Sequence, residues 1–157
     1  MIEIERKFLV LSEDYKKEAY KHTLIIQGFL NTHKERTVRV RLEEKIGLLT
    51  IKGKSSTDGT SRFEWEKEIS GPDAEALLEL CEPGIIKKMR YQIKTGHHVF
   101  EVDEFFDDNQ GLVIAEVELS DKNESFKRPQ WLGEEVTGKI EYYNSQLGKH
   151  PFKQWGH

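Results

Sequence analysis

A single cysteine, Cys81, leaves the chain unable to close an internal disulfide, and nothing supplies the Cys/His spacing of a structural zinc site. No apolar stretch approaches the roughly 18 residues that a membrane-spanning helix needs, so the expectation is a soluble protein with no membrane partner. Surplus positive charge is missing too. The 24 Lys and Arg against 28 Asp and Glu leave a net charge of −4, the wrong sign for a protein whose main partner is a nucleic acid backbone. No repeat, low-complexity tract or linker-like composition divides the 157 residues, and one domain over 1–157 is the simplest organisation. The opening Met1-Ile2-Glu3-Ile4-Glu5-Arg6-Lys7 is acidic and strand-like rather than a basic stretch followed by an apolar run, which makes the cytoplasm the expected location.

What the chain does have is alternation. Period-two patterning recurs from about Ile2 to Leu9, Thr23 to Leu30, Thr37 to Leu42, Leu48 to Lys52, Arg62 to Ile69, Ile85 to Lys94, His98 to Phe105 and Leu112 to Leu119, which predicts a mostly β fold of eight antiparallel strands. A helix is expected over Ala74 to Leu80, with Asp73 as its cap, and short helices at Glu124-Ser125-Phe126 and from Tyr142 to Leu147. Few helices among many strands point to a sandwich or a closed barrel.

Residues two apart on a strand share a face, and here the faces are sorted by charge. Glu3, Glu5 and Lys7 project together, as do Arg39 with Arg41, Glu64 with Glu66, Lys88 with Arg90, Glu101 with Asp103, and Glu116 with Glu118; Lys52 follows Thr50 on its own strand. A charged strand face is ordinarily just the solvated side of a sheet. Like charges side by side repel, however, and whole strands of one sign call for something that neutralises them. Clustered carboxylates suit hard cations such as Mg²⁺ or Mn²⁺, and clustered Arg and Lys suit phosphate oxygens, so a metal-bound polyphosphate would satisfy both sets.

Glu3-Ile4-Glu5-Arg6-Lys7 resembles the E-x-E-x-K signature of the CYTH superfamily, the triphosphate tunnel metalloenzymes. Gln27-Gly28-Phe29-Leu30, Val38-Arg39-Val40-Arg41, Thr50-Ile51-Lys52, Glu64-Trp65-Glu66, Lys88-Met89-Arg90-Tyr91, Glu101-Val102-Asp103 and Ala115-Glu116-Val117-Glu118 follow in the family's order, and Gly133 to Thr137 with Tyr142 and Asn144 resembles its closing segment. The resemblance implies a closed eight-stranded antiparallel barrel with a few flanking helices, whose tunnel takes a small-molecule triphosphate. It also implies a division of labour. Glu3, Glu5, Glu116 and Glu118, joined by Asp103, would hold metal; Lys7, Arg39, Arg41, Lys52, Lys88 and Arg90 would bind phosphate; Glu64 and Glu66 would hold a second metal or orient the attacking water, with Lys52 beside them in the catalytic set. The chain departs from the family pattern at Phe29, where Tyr is common, and at Thr137-Gly138-Lys139-Ile140-Glu141-Tyr142, where relatives commonly read T-x-D-x-R-Y and Lys139 is the one candidate to replace the family's basic contact near the tunnel mouth.

The implied activity is hydrolysis of inorganic tripolyphosphate to pyrophosphate and phosphate. The alternatives are a thiamine or nucleoside triphosphatase, a class IV adenylate cyclase, or a polyphosphate-binding module without turnover. The segment Gly53 to Ser61 offers no aromatic residue to stack on a base, which favours the bare polyphosphate. That loop, with Ser55, Ser56 and Thr57, reads as flexible rather than as a phosphate cradle, because no G-x-x-x-x-G-K-S/T pattern precedes a helix. The scattered histidines, with His97 and His98 in a turn, are not read as ligands. Trp131, Trp155, Phe126 and Phe152 read as packing on the outside of the barrel or in a homodimer contact.

Overall fold

Strand-forming alternation leaves each strand with one apolar and one charged face, and such strands bury both only by wrapping around the charged one. In the computed structural model, which describes residues 1–156, the strands are β1 (Ile2–Val10), β2 (Lys21–Asn31), β3 (Arg36–Glu43), β4 (Ile46–Gly53), β5 (Ser61–Ser70), β6 (Ile86–Thr95), β7 (His98–Phe105), β8 (Val113–Glu118) and β9 (Leu132–Glu135). The hydrogen-bonded order β5-β4-β3-β2-β6-β7-β8-β1 closes on itself where Ile2, Glu3 and Ile4 of β1 pair with Phe63, Arg62 and Ser61 of β5. Every pairing is antiparallel, and the expected eight-stranded barrel is present. The ninth strand lies outside that closure, pairing Glu135 and Leu132 with Phe8 and Val10 of β1. Its four residues, Leu-Gly-Glu-Glu, carry no alternation by which they could be read in advance.

The apolar core sits on the outside of the barrel wall. Phe8, Ile93, Phe100, Val102, Ala115 and Val117 point outward from β1, β6, β7 and β8 and are covered by Tyr15 of α1 (Tyr15–Glu18) and by Trp131, which packs edge-on against Tyr15 at 5.9 Å and Phe100 at 5.6 Å. A second cluster joins Ile86, Phe105, Leu112 and Ile114 to Leu147 of α3 (Asn144–Leu147), with Trp155 packed edge-on against Tyr142 and Phe152. The tryptophans thus serve packing, as expected.

Three local readings are corrected. Helix α2 spans Gly71–Leu78, and its cap is Ser70, whose hydroxyl accepts from the Asp73 amide at 3.1 Å; Asp73 lies inside the first turn. No helix forms at Glu124, because its carboxylate accepts from the Ser120 amide and pairs with His98, while the Phe126 ring packs against Phe8 and Phe100. The loop between β4 and β5 is an ordered turn in which Asp58 accepts from the hydroxyls of Ser56 and Thr60 and from the Thr60 amide. Among the described residues no helix is long and apolar enough to cross a membrane.

Candidate active site

Closure turns the charged faces inward around a cavity of about 310 Å³. One wall is acidic. Glu3 and Glu5 come from β1, Glu116 and Glu118 from β8, and Glu101 from β7; the register sets Glu5 directly across from Glu118 and Glu101 across from Glu116. Two lysines hold this wall together. Lys7 Nζ lies 3.1 Å from Glu5 and 3.3 Å from Glu116, and Lys52 Nζ lies 2.7 Å from Glu3 and 3.4 Å from Glu64.

The lysines do not balance the wall. Burial works to raise the Glu5 pKa, but Lys7 and then Lys52 outweigh it and hold the carboxyl at about 2, while the same acids push Lys7 up despite its own burial. Glu118 is raised by burial and then by the neighbouring Glu3, Glu5 and Glu101, and Glu3 and Glu101 are also raised, chiefly by burial. Such a surplus of buried negative charge is what a divalent cation would relieve.

The opposite wall is basic. Arg39 and Arg41 come from β3, Lys88 and Arg90 from β6. Arg41 is only 6% exposed and Lys88 1%. Burial, followed by the fields of Arg39 and Arg90, lowers the Arg41 pKa to about 9. Lys88 is brought down to about 7 by burial and by Arg90 and Arg41, against the pull of Asp103. Arg39 donates to Thr50 Oγ1 at 3.0 Å and reaches Glu66 at 3.5 Å, and its Nε is buried with no hydrogen-bond partner among the described residues. An arginine with an unsatisfied donor in a cavity wall suits an anion's oxygen.

The structure brings together every residue expected at the site except Asp103 and Lys139. Asp103, expected beside the metal acids, does not line the cavity; it lies behind the basic wall, 1% exposed, taking a two-pronged bond from Arg90 at 2.8 and 2.9 Å and an ion pair from Lys88 at 2.8 Å. Its register partner on β6 is Arg90, so the guanidinium fork captures both oxygens. Arg90 and Lys88 hold the Asp103 carboxyl far below the usual carboxylate range, overriding its burial. Lys139 is also not brought to the cavity. It is half exposed and pairs with Glu134 at 3.5 Å.

The site also contains residues that the sequence reading missed. Arg62 and Glu43 line it, and period two could have found both, since Arg62 precedes Glu64 by two and Glu43 follows Arg41 by two. Tyr143, Asn144 and Ser145 reach it from the C-terminal segment, where no strand pattern announces an inward face.

The donor set fits a hydrated divalent cation. Among the described residues no three Asp, Glu, His or Cys side chains converge as a closed metal cage. Mg²⁺ needs no such cage, because it binds through one or two carboxylates, keeps several waters and takes the rest from phosphate oxygens. Glu5 and Glu118, facing each other across β1 and β8 with Glu3 and Glu116 beside them, supply hard oxygens for that arrangement.

The CYTH domain model matches residues 1–148. The inorganic triphosphatase of Acetivibrio thermocellus is 47% identical over 154 residues, 98% of this chain and 97% of that protein. Among solved structures, the inorganic triphosphatase NE1496 aligns with a TM-score of 0.64 at 30% identity, over 92% of this chain and 96% of its own. HpAC1 from Hippeastrum, an adenylyl cyclase candidate described as having a dominant triphosphatase activity, aligns with a TM-score of 0.57 over 76% of this chain and 80% of its own; at 15% identity it speaks to the fold alone. With a family model spanning almost its whole length, and with the charged tunnel in which the acids and bases of the motifs meet, the chain belongs to the CYTH domain family.

Proposed function

We propose that this chain hydrolyses inorganic tripolyphosphate to pyrophosphate and phosphate with the help of Mg²⁺ or Mn²⁺. The observation that carries the reading is the opposition of an acidic and a basic wall across one small cavity, in a chain 47% identical to a named inorganic triphosphatase. A volume of about 310 Å³ is at the low end for ligand pockets, which run from roughly 300 to 1,000 Å³, and suits a compact anion better than a whole nucleotide.

In this reading Arg39, Arg41, Lys88 and Arg90 grip phosphate oxygens, the arginines in pairs and Lys88 as a point charge. Glu3, Glu5, Glu116 and Glu118 hold the cation, which when bound would neutralise phosphate charge and lower the pKa of a water. Glu64 and Glu66 stand at the wall between the acids and bases, where Glu66 accepts from Thr50 at 2.7 Å and Glu64 pairs with Lys52. They orient the attacking water in line with the terminal phosphorus and accept its proton. Lys7 and Lys52 already sit on the acids and follow the charge as substrate enters. Asp103 is assigned to positioning Arg90 and Lys88 rather than to metal.

One observation favours keeping ATP in the test. The Gly53 to Ser61 loop has no aromatic residue, but Tyr143 and Phe29 line the same cavity and offer rings to a base. Phosphate release from tripolyphosphate, ATP and thiamine triphosphate, with and without chelator, should favour tripolyphosphate by about 10-fold or more in kcat/KM and vanish without divalent cation. Cyclic AMP as a main product from ATP, or equal rates in excess chelator, would refute the proposal.

A further inference from the structure

Two cations of the basic wall, Arg41 and Lys88, are bridged by two uncharged side chains. Gln27 of β2 is fully buried; its Oε1 accepts from Arg41 Nε at 3.0 Å and its Nε2 donates to Asn144 Oδ1 at 2.8 Å. Asn144 Oδ1 also accepts from Lys88 Nζ at 2.9 Å. The amide orientations are fixed by chemistry, because a guanidinium and an ammonium can only donate. A continuous chain of bonds therefore runs from Arg41 through Gln27 and Asn144 to Lys88. Neither base has much access to water as a substitute partner, since both are more than nine-tenths buried.

Asn144 is the only member of this chain that does not belong to the barrel. It opens α3, in the C-terminal segment, which is fastened on both sides. At Gly59 (φ +78) a Cβ would come within 2.4 Å of Gly138, and at Gly84 (φ +99) one would come within 2.3 Å of the Gly148 carbonyl; only glycine permits either approach. Leu147, fully buried, anchors the helix in the outer core.

We propose that Gln27 and Asn144 are positioning residues that set the separation of Arg41 and Lys88, so that the C-terminal segment forms a working part of the phosphate-binding wall. This rests on the triphosphate reading of the tunnel. Asp103 holds Lys88 and Glu43 reaches Arg41, each from its own side, but it is the amides that tie the two repelling cations to each other and so fix the spacing at which they meet the phosphate chain.

The test is steady-state kinetics on tripolyphosphate at saturating Mg²⁺, well below the melting temperature, for Asn144→Leu, Gln27→Leu, the double variant, Leu132→Ala and Arg41→Ala. Each amide variant is expected to raise KM about 10-fold with kcat within about threefold, and the double variant to be no more than about twofold worse than the worse single, because one relay is broken in each case. Leu132→Ala, which truncates a buried side chain of the other core cluster and leaves the C-terminal helix alone, should lower Tm and leave KM within about twofold. Unchanged KM in both amide variants, effects that multiply in the double variant, or an equal rise in Leu132→Ala would overturn the proposal. If one amide variant fails to fold the other is read alone, and failure of both overturns the proposal by assigning the pair to stability. Arg41→Ala separates the two levels: a normal KM there sinks the tunnel reading itself, whereas a raised KM there beside normal amide variants sinks only the relay.

Discussion

Replacing Asp103 with asparagine removes one negative charge from beneath two buried cations. The carboxylate makes three contacts between 2.8 and 2.9 Å with Arg90 and Lys88, and both it and Lys88 are 1% exposed. Breaking a buried ion pair from one side costs about 3–5 kcal/mol, which in a chain of this length corresponds to a fall in Tm of roughly 6–20 °C. Lys88, already lowered to about 7 chiefly by burial, would lose the main group holding it charged and would titrate lower still. The assay is a thermal melt of wild type and Asp103→Asn, followed by KM for tripolyphosphate and the Mg²⁺ activation constant. A lower Tm, a higher KM and an unchanged Mg²⁺ constant are expected. The Asp103 pKa is lowered on folding, so its stabilisation is present above about pH 4 and fades as the pH falls, and the wild-type advantage in Tm should shrink in acid. A Tm within about 2 °C of wild type, with a Mg²⁺ constant raised severalfold, would return Asp103 to the metal and refute this reasoning.

Glu116→Gln keeps shape while removing a metal-wall charge, so it should fold normally by circular dichroism and lose activity at every Mg²⁺ concentration; near-normal turnover at saturating metal would contradict the assignment. Arg41→Ala should lower kcat/KM by roughly 10²-fold, measured by phosphate release, if its contact strengthens in the transition state. If Lys88 binds phosphate as proposed, its protonated form is the one that does so; kcat/KM of the wild type should then decline above about pH 7, and Lys88→Met should remove that decline along with most of the activity.

The barrel was legible because the alternation is strong: all eight wall strands lie where period two marks them, and a sorted face such as Arg39 with Arg41 or Glu116 with Glu118 points at the lumen. Closure itself was not legible, since it depends on the short pairing of Ile2 to Ile4 with Ser61 to Phe63, which no local pattern announces. Asp103 was misplaced because period two fixes which face a side chain takes but not its depth; the Arg90 opposite it on β6 decides that it is bound behind the wall rather than exposed in it. Asn144 was visible as part of the closing segment that resembles the family's, but its place at the cavity, and the presence there of Tyr143 and Ser145, were beyond reach for a different reason. They arrive from an irregular segment whose place at the cavity is set by the packing of Leu147 and by the glycine contacts at both its ends, and these are tertiary facts.

The central claim is that one tunnel holds cation on its acidic wall and phosphate on its basic wall at the same time. A crystal structure of the wild-type protein with Mn²⁺ and a non-hydrolysable imido analogue of tripolyphosphate tests it most directly. The account predicts an anomalous Mn²⁺ peak against Glu5 and Glu118, with the phosphate chain along Arg39, Arg41, Lys88 and Arg90. Phosphate bound outside the barrel, or Mn²⁺ on Asp103 with the acidic wall left to its lysines, would contradict it.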